Sequence, residues 1–178
     1  MGKIYTLDGE IIDTDETFHG TPFFRKMSIN KNELEICKIL MNSLPHENIV
    51  KIYHMRDTTR ILEINSYYDM ELLDTNLQAF SLDQIKQTMI PVKDYLQSLG
   101  ILYIDWKPDN IGIGLDGKLK LFDFDGSGLM EKDTDQWKPG YKSRQLWAYN
   151  KAIEAGAVTP KEIDNSAFDI GFEPENHD

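Results

Sequence analysis

The chain has 178 residues, 40% of them hydrophobic and 28% charged, with a net charge of −11; this is the profile of a globular protein of one or two small packed layers. The acidic balance argues against a nucleic-acid backbone as partner and suits a basic one. No apolar run is long enough to span a bilayer, no secretory leader follows Met1, and the single cysteine, Cys37, excludes an intrachain disulfide and fits a reducing compartment. The first six residues, Met1 to Thr6, match the short N-myristoylation pattern only weakly, because Ile4 and Tyr5 read equally well as the start of an edge strand.

Residues 3–27 alternate apolar and polar around turn signals at Asp8-Gly9 and His19-Gly20, which predicts strands at about 3–7, 10–14 and 22–27. Asn30 with Glu33 is a capping-box pattern that opens a helix burying Leu34, Ile36, Cys37, Leu40 and Met41. Pro45-His46 ends it, and 48–53 and 60–64 read as two further strands. Ser81 with Gln84 starts a long helix: Leu82, Ile85, Met89, Val92, Leu96 and Leu99 recur at spacings of three and four, Pro91 is expected to kink it, and Gly100 stands where a terminating glycine belongs. Asp116-Gly117 predicts a hairpin between Ile111–Gly114 and Lys118–Phe122. A polar stretch to about residue 140 precedes a helix over 143–155, and Thr159-Pro160 with Glu162 announces one more. Residues 173–178 look frayed. Strands first and helices later give an α+β fold.

Between the long helix and the polar stretch lie Asp105-Trp106-Lys107-Pro108-Asp109-Asn110 and, after the hairpin, Asp123-Phe124-Asp125-Gly126. These motifs resemble the catalytic loop H-R-D-L-K-P-x-N and the D-F-G of protein kinases. Lys107-Pro108 resembles the serine/threonine branch, and the order of elements resembles a kinase small lobe followed by the front of a large lobe. The resemblance implies a protein-kinase-like fold with a small antiparallel sheet and one helix over 1–66, and a shortened, mainly helical lobe over 67–178. It implies ATP and Mg²⁺ as cofactors. Asp105 would orient the acceptor hydroxyl and take its proton, Lys107 would reach the transferring phosphoryl group, and Asn110 and Asp123 would hold magnesium through oxygen. Phe23-Phe24-Arg25-Lys26 resembles the strand whose lysine grips the α and β phosphates. Glu35 is its expected partner, with Glu33 as rival. The backbone of Asn65, Ser66 and Tyr67 is the expected hinge for adenine. Asp169 matches the aspartate that braces the catalytic loop.

The chain also departs from the family. The glycine-rich loop is missing, with only Gly9 and Gly20 between the first strands, so nucleotide affinity should be weak. Tyr103-Ile104 replaces the His-Arg pair, which leaves no partner for an activating phosphate. Asp125 takes the place of the D-F-G glycine, and the helices that dock peptides are not found. The expected function is phosphoryl transfer to Ser/Thr hydroxyls of a protein substrate, with an activating or docking protein as a further partner. The setting is cytoplasmic, that of a host cell if the source is a virus or an effector. A pseudokinase that binds a partner or ATP without transfer is the alternative, and a small-molecule kinase is a third reading that Lys107-Pro108 disfavours.

Overall fold

In the computed structural model the described residues are 3–5, 11–13, 17–18, 21–57 and 66–174. The N-terminal strands are β1 (Lys3–Tyr5), β2 (Ile11–Asp13), β3 (Thr17–Phe18) and β4 (Thr21–Lys26), followed by helix α1 (Lys31–Met41) and strands β5 (Ile52–Arg56) and β6 (Tyr67–Glu71). β1 and β2 pair antiparallel, and a second antiparallel sheet has the order β3-β4-β6-β5. Helix α2 (Leu82–Ser98) leads into β7 (Ile101–Leu102), the hairpin β8 (Ile111–Ile113) and β9 (Leu119–Leu121), and β10 (Gly128–Leu129), which pairs with β7. Helices α3 (Trp147–Glu154) and α4 (Pro160–Gly171) pack together, and α4 also meets β7. This is the expected α+β arrangement of a small antiparallel sheet and a mainly helical half.

Local chemistry sets the helix ends. Ser81 and Gln84 cap each other, at 3.1 Å and 2.8 Å, and Thr159 and Glu162 do the same at the start of α4. At α1 only half of the box forms. Asn30 accepts from the Glu33 N–H at 2.8 Å, but the Glu33 side chain turns inward instead of back to the cap. Helix α2 runs continuously through Pro91 and buries Ile85, Met89, Val92 and Leu96. Gly117 turns the β8–β9 hairpin at φ +78°, where a side chain would be strained.

Three boundaries differ from expectation. The strand expected over 48–53 begins at Ile52, because Asn48 and Val50 bond the backbone of Leu121 instead and tie the sheet half to β9. Helix α3 begins at Trp147 rather than 143, because Ser143 is buried and Arg144 donates to the Gly126 carbonyl at 3.3 Å. A division after residue 66 would cut the second sheet, since β6 lies between β4 and β5; the chain leaves that sheet after Glu71. The lipidation pattern at Gly2, the turns at Asp8-Gly9 and His19-Gly20, the strand expected over 60–64, Asn65 and residues 175–178 lie outside the described residues.

Candidate active site

After β7 the chain makes a tight three-residue turn. Asp105 N–H donates to the Tyr103 carbonyl at 2.8 Å, and Trp106 N–H donates to the Ile104 carbonyl at 2.8 Å. Ile104 sits at φ +66°, a conformation that costs a β-branched residue roughly 1–3 kcal/mol. The turn is held from below by Asp164 of α4, whose Oδ1 accepts from Ile104 N–H at 2.9 Å and from the Trp106 indole at 2.8 Å. Gln97 donates to its other oxygen at 2.9 Å. The expected brace, Asp169, is not in this position: its side chain is 70% exposed and faces Lys86 at 3.6 Å. Gly171 lets α4 approach closely, because a Cβ there would stand 1.9 Å from the Trp106 carbonyl.

The turn projects Asp105 beside Asn110, which ends a single 3₁₀ turn, Pro108–Asn110. Asn110 Nδ2 donates to the Asp105 carbonyl at 2.9 Å and to its carboxylate at 3.0 Å, and Lys107 Nζ stands 3.5 Å from the same carboxylate. Phe122 N–H bonds the Asn110 carbonyl at 3.0 Å, so the hairpin returns Asp123 next to this loop. Asp123 adopts φ +65°, and its own carboxylate accepts from Asp125 N–H at 3.2 Å, a local bond that lets Asp tolerate this backbone. Tyr103 donates to the Phe122 carbonyl at 2.6 Å and packs edge-on against Phe124 at 5.5 Å.

Lys26 on β4 meets Asp123 at 2.8 Å and Glu33 at 2.8 Å. Glu33 is the partner and Glu35 is not. Glu33 is fully buried on the inner face of α1 and also accepts from Tyr68 OH at 2.9 Å and Phe124 N–H at 3.1 Å. Glu35 points outward, near Lys38 at 3.8 Å. Burial pulls the Lys26 pKa down, but the Glu33 and Asp123 carboxylates outweigh it and hold the ammonium above its ordinary value. Burial pushes Glu33 up, against the opposing pull of Lys26. Glu33→Gln keeps the shape but discharges the pair, so affinity for an anion bound at Lys26 should fall about tenfold, the factor that ~1.4 kcal/mol of lost pairing represents. Glu35→Ala should leave that affinity unchanged; titrations with inorganic triphosphate followed by thermal shift check both.

These groups open on a cleft of about 810 Å³, within the roughly 300–1,000 Å³ of small-molecule sites. Phe24, Tyr68 and Met70 form its roof, Leu72, Leu73, Thr75 and Leu77 its back edge, and Pro108, Asp109, Asn110 and Phe122 its floor, with Lys26 and Asp123 at the deep end. The strip that joins the two halves is therefore Leu72–Thr75, and the described part of the expected hinge, Ser66 and Tyr67, is not in it. Tyr67 opens β6 and Ser66 is buried, its carbonyl accepting from Ile29 N–H at 3.2 Å. The strip is anchored at both ends. Glu71 pairs with Lys120 at 3.4 Å, and Asp74 exchanges backbone bonds with Ile113 at 2.9 and 2.7 Å. Leu73's backbone N–H and C=O have no partner among the described residues.

The described residues contain no cluster of three or more His, Cys, Asp or Glu side chains suited to a metal. Asn110 and Asp123 offer two oxygen donors at the cleft, which fits Mg²⁺, an ion usually held by one or two protein groups with phosphates and water completing its shell. The first turn of α1 is bolted to the segment after Asp123. Asn30 Nδ2 donates to the Asp125 carbonyl and carboxylate, both at 2.9 Å, and Asn32 Nδ2 donates to the carbonyls of Ser127 and Lys142, both at 3.0 Å. Arg144 pairs with the Asp125 carboxylate.

Comparison with known proteins gives concordant matches. The family model described as "Protein kinase domain" matches residues 24–154. The serine/threonine-protein kinase RUNKEL of Arabidopsis thaliana is 33% identical over 126 residues, 67% of this chain and 9% of that protein. The 3-phosphoinositide-dependent protein kinase 1 of the same plant is 29% identical over 140 residues, 73% of this chain and 28% of that protein. Mitogen-activated protein kinase 13 of Mus musculus is 30% identical over 115 residues, 58% of this chain and 30% of that protein. The chain thus spans less than a third of the length of these relatives.

Proposed function

The chain belongs to the protein kinase domain family, and from that premise we propose that it transfers the γ-phosphoryl group of ATP to Ser/Thr hydroxyls of a protein substrate. The observation that carries the reading is the convergence of Lys26, Asn110 and Asp123 on one cleft, with Asp105 hydrogen-bonded to Asn110 at its edge. No scaffold needs four polar groups so arranged.

Adenine enters between Phe24 and Met70 above and Phe122 below, with the unpartnered Leu73 backbone reading its edge. Lys26, oriented by Glu33, contacts the phosphates. Asn110 and Asp123 would hold Mg²⁺, which would supply neutralising charge to the phosphate oxygens. Asp105 orients the acceptor hydroxyl and accepts its proton as the oxygen bonds the γ-phosphorus and the bond to the ADP oxygen breaks. Lys107 balances charge on the moving group. The buried, unpaired Cys37 supports a reducing, cytoplasmic setting, and no helix among the described residues is long and apolar enough to cross a membrane.

The test is transfer itself. Incubated with labelled ATP, Mg²⁺ and a generic basic protein, the wild-type chain should label that protein, and EDTA should stop it. A nucleotide-induced rise in Tm without any label on protein would instead establish the pseudokinase alternative, and label on a small-molecule alcohol alone would establish the third reading.

A further inference from the structure

Glu33 is held in a costly place. Its carboxylate is fully buried, and its bonds from Lys26, Tyr68 and Phe124 all fall on one oxygen, Oε2. The other, Oε1, is buried with no partner among the described residues. A carboxylate so desolvated and half-satisfied favours any motion that returns it to water. The turn that carries it offers no apolar hold against that motion. Asn30, Lys31, Asn32 and Glu33 are all polar, and the buried apolar side chains of α1 begin at Leu34. The opposing force comes from polar bonds at the helix N-terminus.

The Asn30 amide acts on both sides. Its oxygen caps α1, accepting from Glu33 N–H at 2.8 Å, and its nitrogen donates to the Asp125 carbonyl and carboxylate. Arg144 takes the other oxygen of that carboxylate. Asn32 reaches the Ser127 and Lys142 carbonyls, and Lys31 Nζ lies 4.2 Å from the centre of the Tyr141 ring. These partners flank a loop fixed by its own backbone. Leu129 N–H bonds the Tyr141 carbonyl at 2.9 Å, Lys138 N–H bonds the Leu129 carbonyl at 2.8 Å, and Met130 N–H bonds the Gly100 carbonyl at 2.8 Å. An exposed ion pair such as Arg144–Asp125 contributes little alone; joined to the Asn30 and Asn32 amides on a fixed loop, it becomes part of one network. Resting on the phosphoryl-transfer reading, we propose that Asn30, Asn32, Asp125 and Arg144 are positioning residues. They form a latch, built into the fold, that keeps α1 docked with Glu33 against Lys26 and needs no phosphate on the segment from 126 to 144.

Asn30→Asp tests this with helix stability set apart. Aspartate caps a helix as well as asparagine does and keeps the acceptor for Glu33 N–H, but it loses the amide donor and turns a second carboxylate toward that of Asp125. Affinity for inorganic triphosphate, read by thermal shift, should fall about tenfold, the scale of one charge-assisted hydrogen bond, and the rate of transfer to a generic basic protein should fall with it. In a Glu33→Gln background the same substitution should change neither quantity further, because Asn30 acts through Glu33; the double variant loses about tenfold rather than about a hundredfold. Adding Asp125→Asn to Asn30→Asp puts a donor back opposite the acceptor and should recover part of the loss. Asp125→Gly leaves the α1 cap untouched and should still lower triphosphate affinity. Phosphatase treatment of the wild type should leave its transfer rate unchanged. Additive losses in the Asn30–Glu33 cycle, wild-type triphosphate affinity in both Asn30→Asp and Asp125→Gly, or a rate that falls on phosphatase treatment overturns the latch. If the wild type labels no protein while the triphosphate cycle behaves as expected, the transfer reading has failed and the latch stands.

Discussion

Asp105→Asn should lower phosphoryl transfer by about 10²–10⁴-fold, the usual contribution of a positioned general base, while nucleotide binding survives. The amide is isosteric, and its oxygen can still accept from Asn110 Nδ2, so the loop keeps its shape. Asp105 does not line the nucleotide cleft, so ATP with Mg²⁺ should still stabilise the variant. At a nucleotide concentration near 100 times Kd the gain is about 2.7 kcal/mol, a Tm rise of roughly 5–10 °C for a chain of this size. Asp123→Asn should behave differently. It loses the anionic oxygen that a hard cation prefers, so transfer and the magnesium-dependent part of the stabilisation should fall together. Radiolabel transfer and thermal shift on both variants separate the roles. Wild-type transfer by Asp105→Asn would remove it as the base, and unchanged magnesium-dependent stabilisation of Asp123→Asn would remove it as the metal ligand.

The parts of this site that follow local rules were readable in the amino-acid order. Asp105, Lys107, Asn110 and Asp123 lie on a short loop and the hairpin after it, where spacing alone brings them together. The helix starts at Ser81 and Thr159 carry their own capping chemistry. The misreadings share another cause. β6 carries Asp69 and Glu71 in a strand that is buried nearly throughout, which hides its character. They are tolerated because Arg25 meets Asp69 at 2.7 Å and Lys120 meets Glu71 at 3.4 Å, partners far away in sequence. The strip after β6 therefore lies later in the chain than its polar strand suggests. Glu33 and Asp164 could have been found from helix periodicity. Glu33 falls three and four residues before the buried Ile36 and Cys37, and Asp164 shares a stripe with Ala167, Phe168 and Gly171. Glu35 and Asp169 lie off those stripes. A charged residue on an apolar stripe is a candidate for a buried bond, and that weighed more than its distance from a motif. Tyr103 gave no such signal. Its part depends on the Phe122 carbonyl, which only the folded hairpin brings to it.

Asp164 should be the most sensitive structural position in the helical half. Asp164→Ala leaves the Ile104 N–H and the Trp106 indole N–H buried with no acceptor. Each such orphan costs about 1–3 kcal/mol, and the positive-φ turn at Ile104 loses the bond that offsets its strain. A loss of about 3–5 kcal/mol should follow, lowering Tm by roughly 10 °C or more. Asp164→Asn should be mild, because its oxygen keeps both donors and only the contact with Gln97 turns repulsive until that amide rotates. Charge works in the same direction. Burial is the main influence on Asp164 and pushes its pKa up, against the hydrogen bonds from Gln97, Ile104 and Trp106. The folded state therefore holds this proton more tightly than the unfolded chain does. Stability must fall as pH rises from 3.8, the ordinary value, through the raised folded value, and the ionised carboxylate is a net cost at neutral pH. The asparagine variant escapes that cost. Its stability relative to wild type should improve as pH rises through the same window, while Asp164→Ala stays destabilised at every pH. Denaturant midpoints measured from pH 4 to 8 would show it; equal, large losses for both variants would mean that the carboxylate's charge, rather than its acceptor geometry, holds the loop.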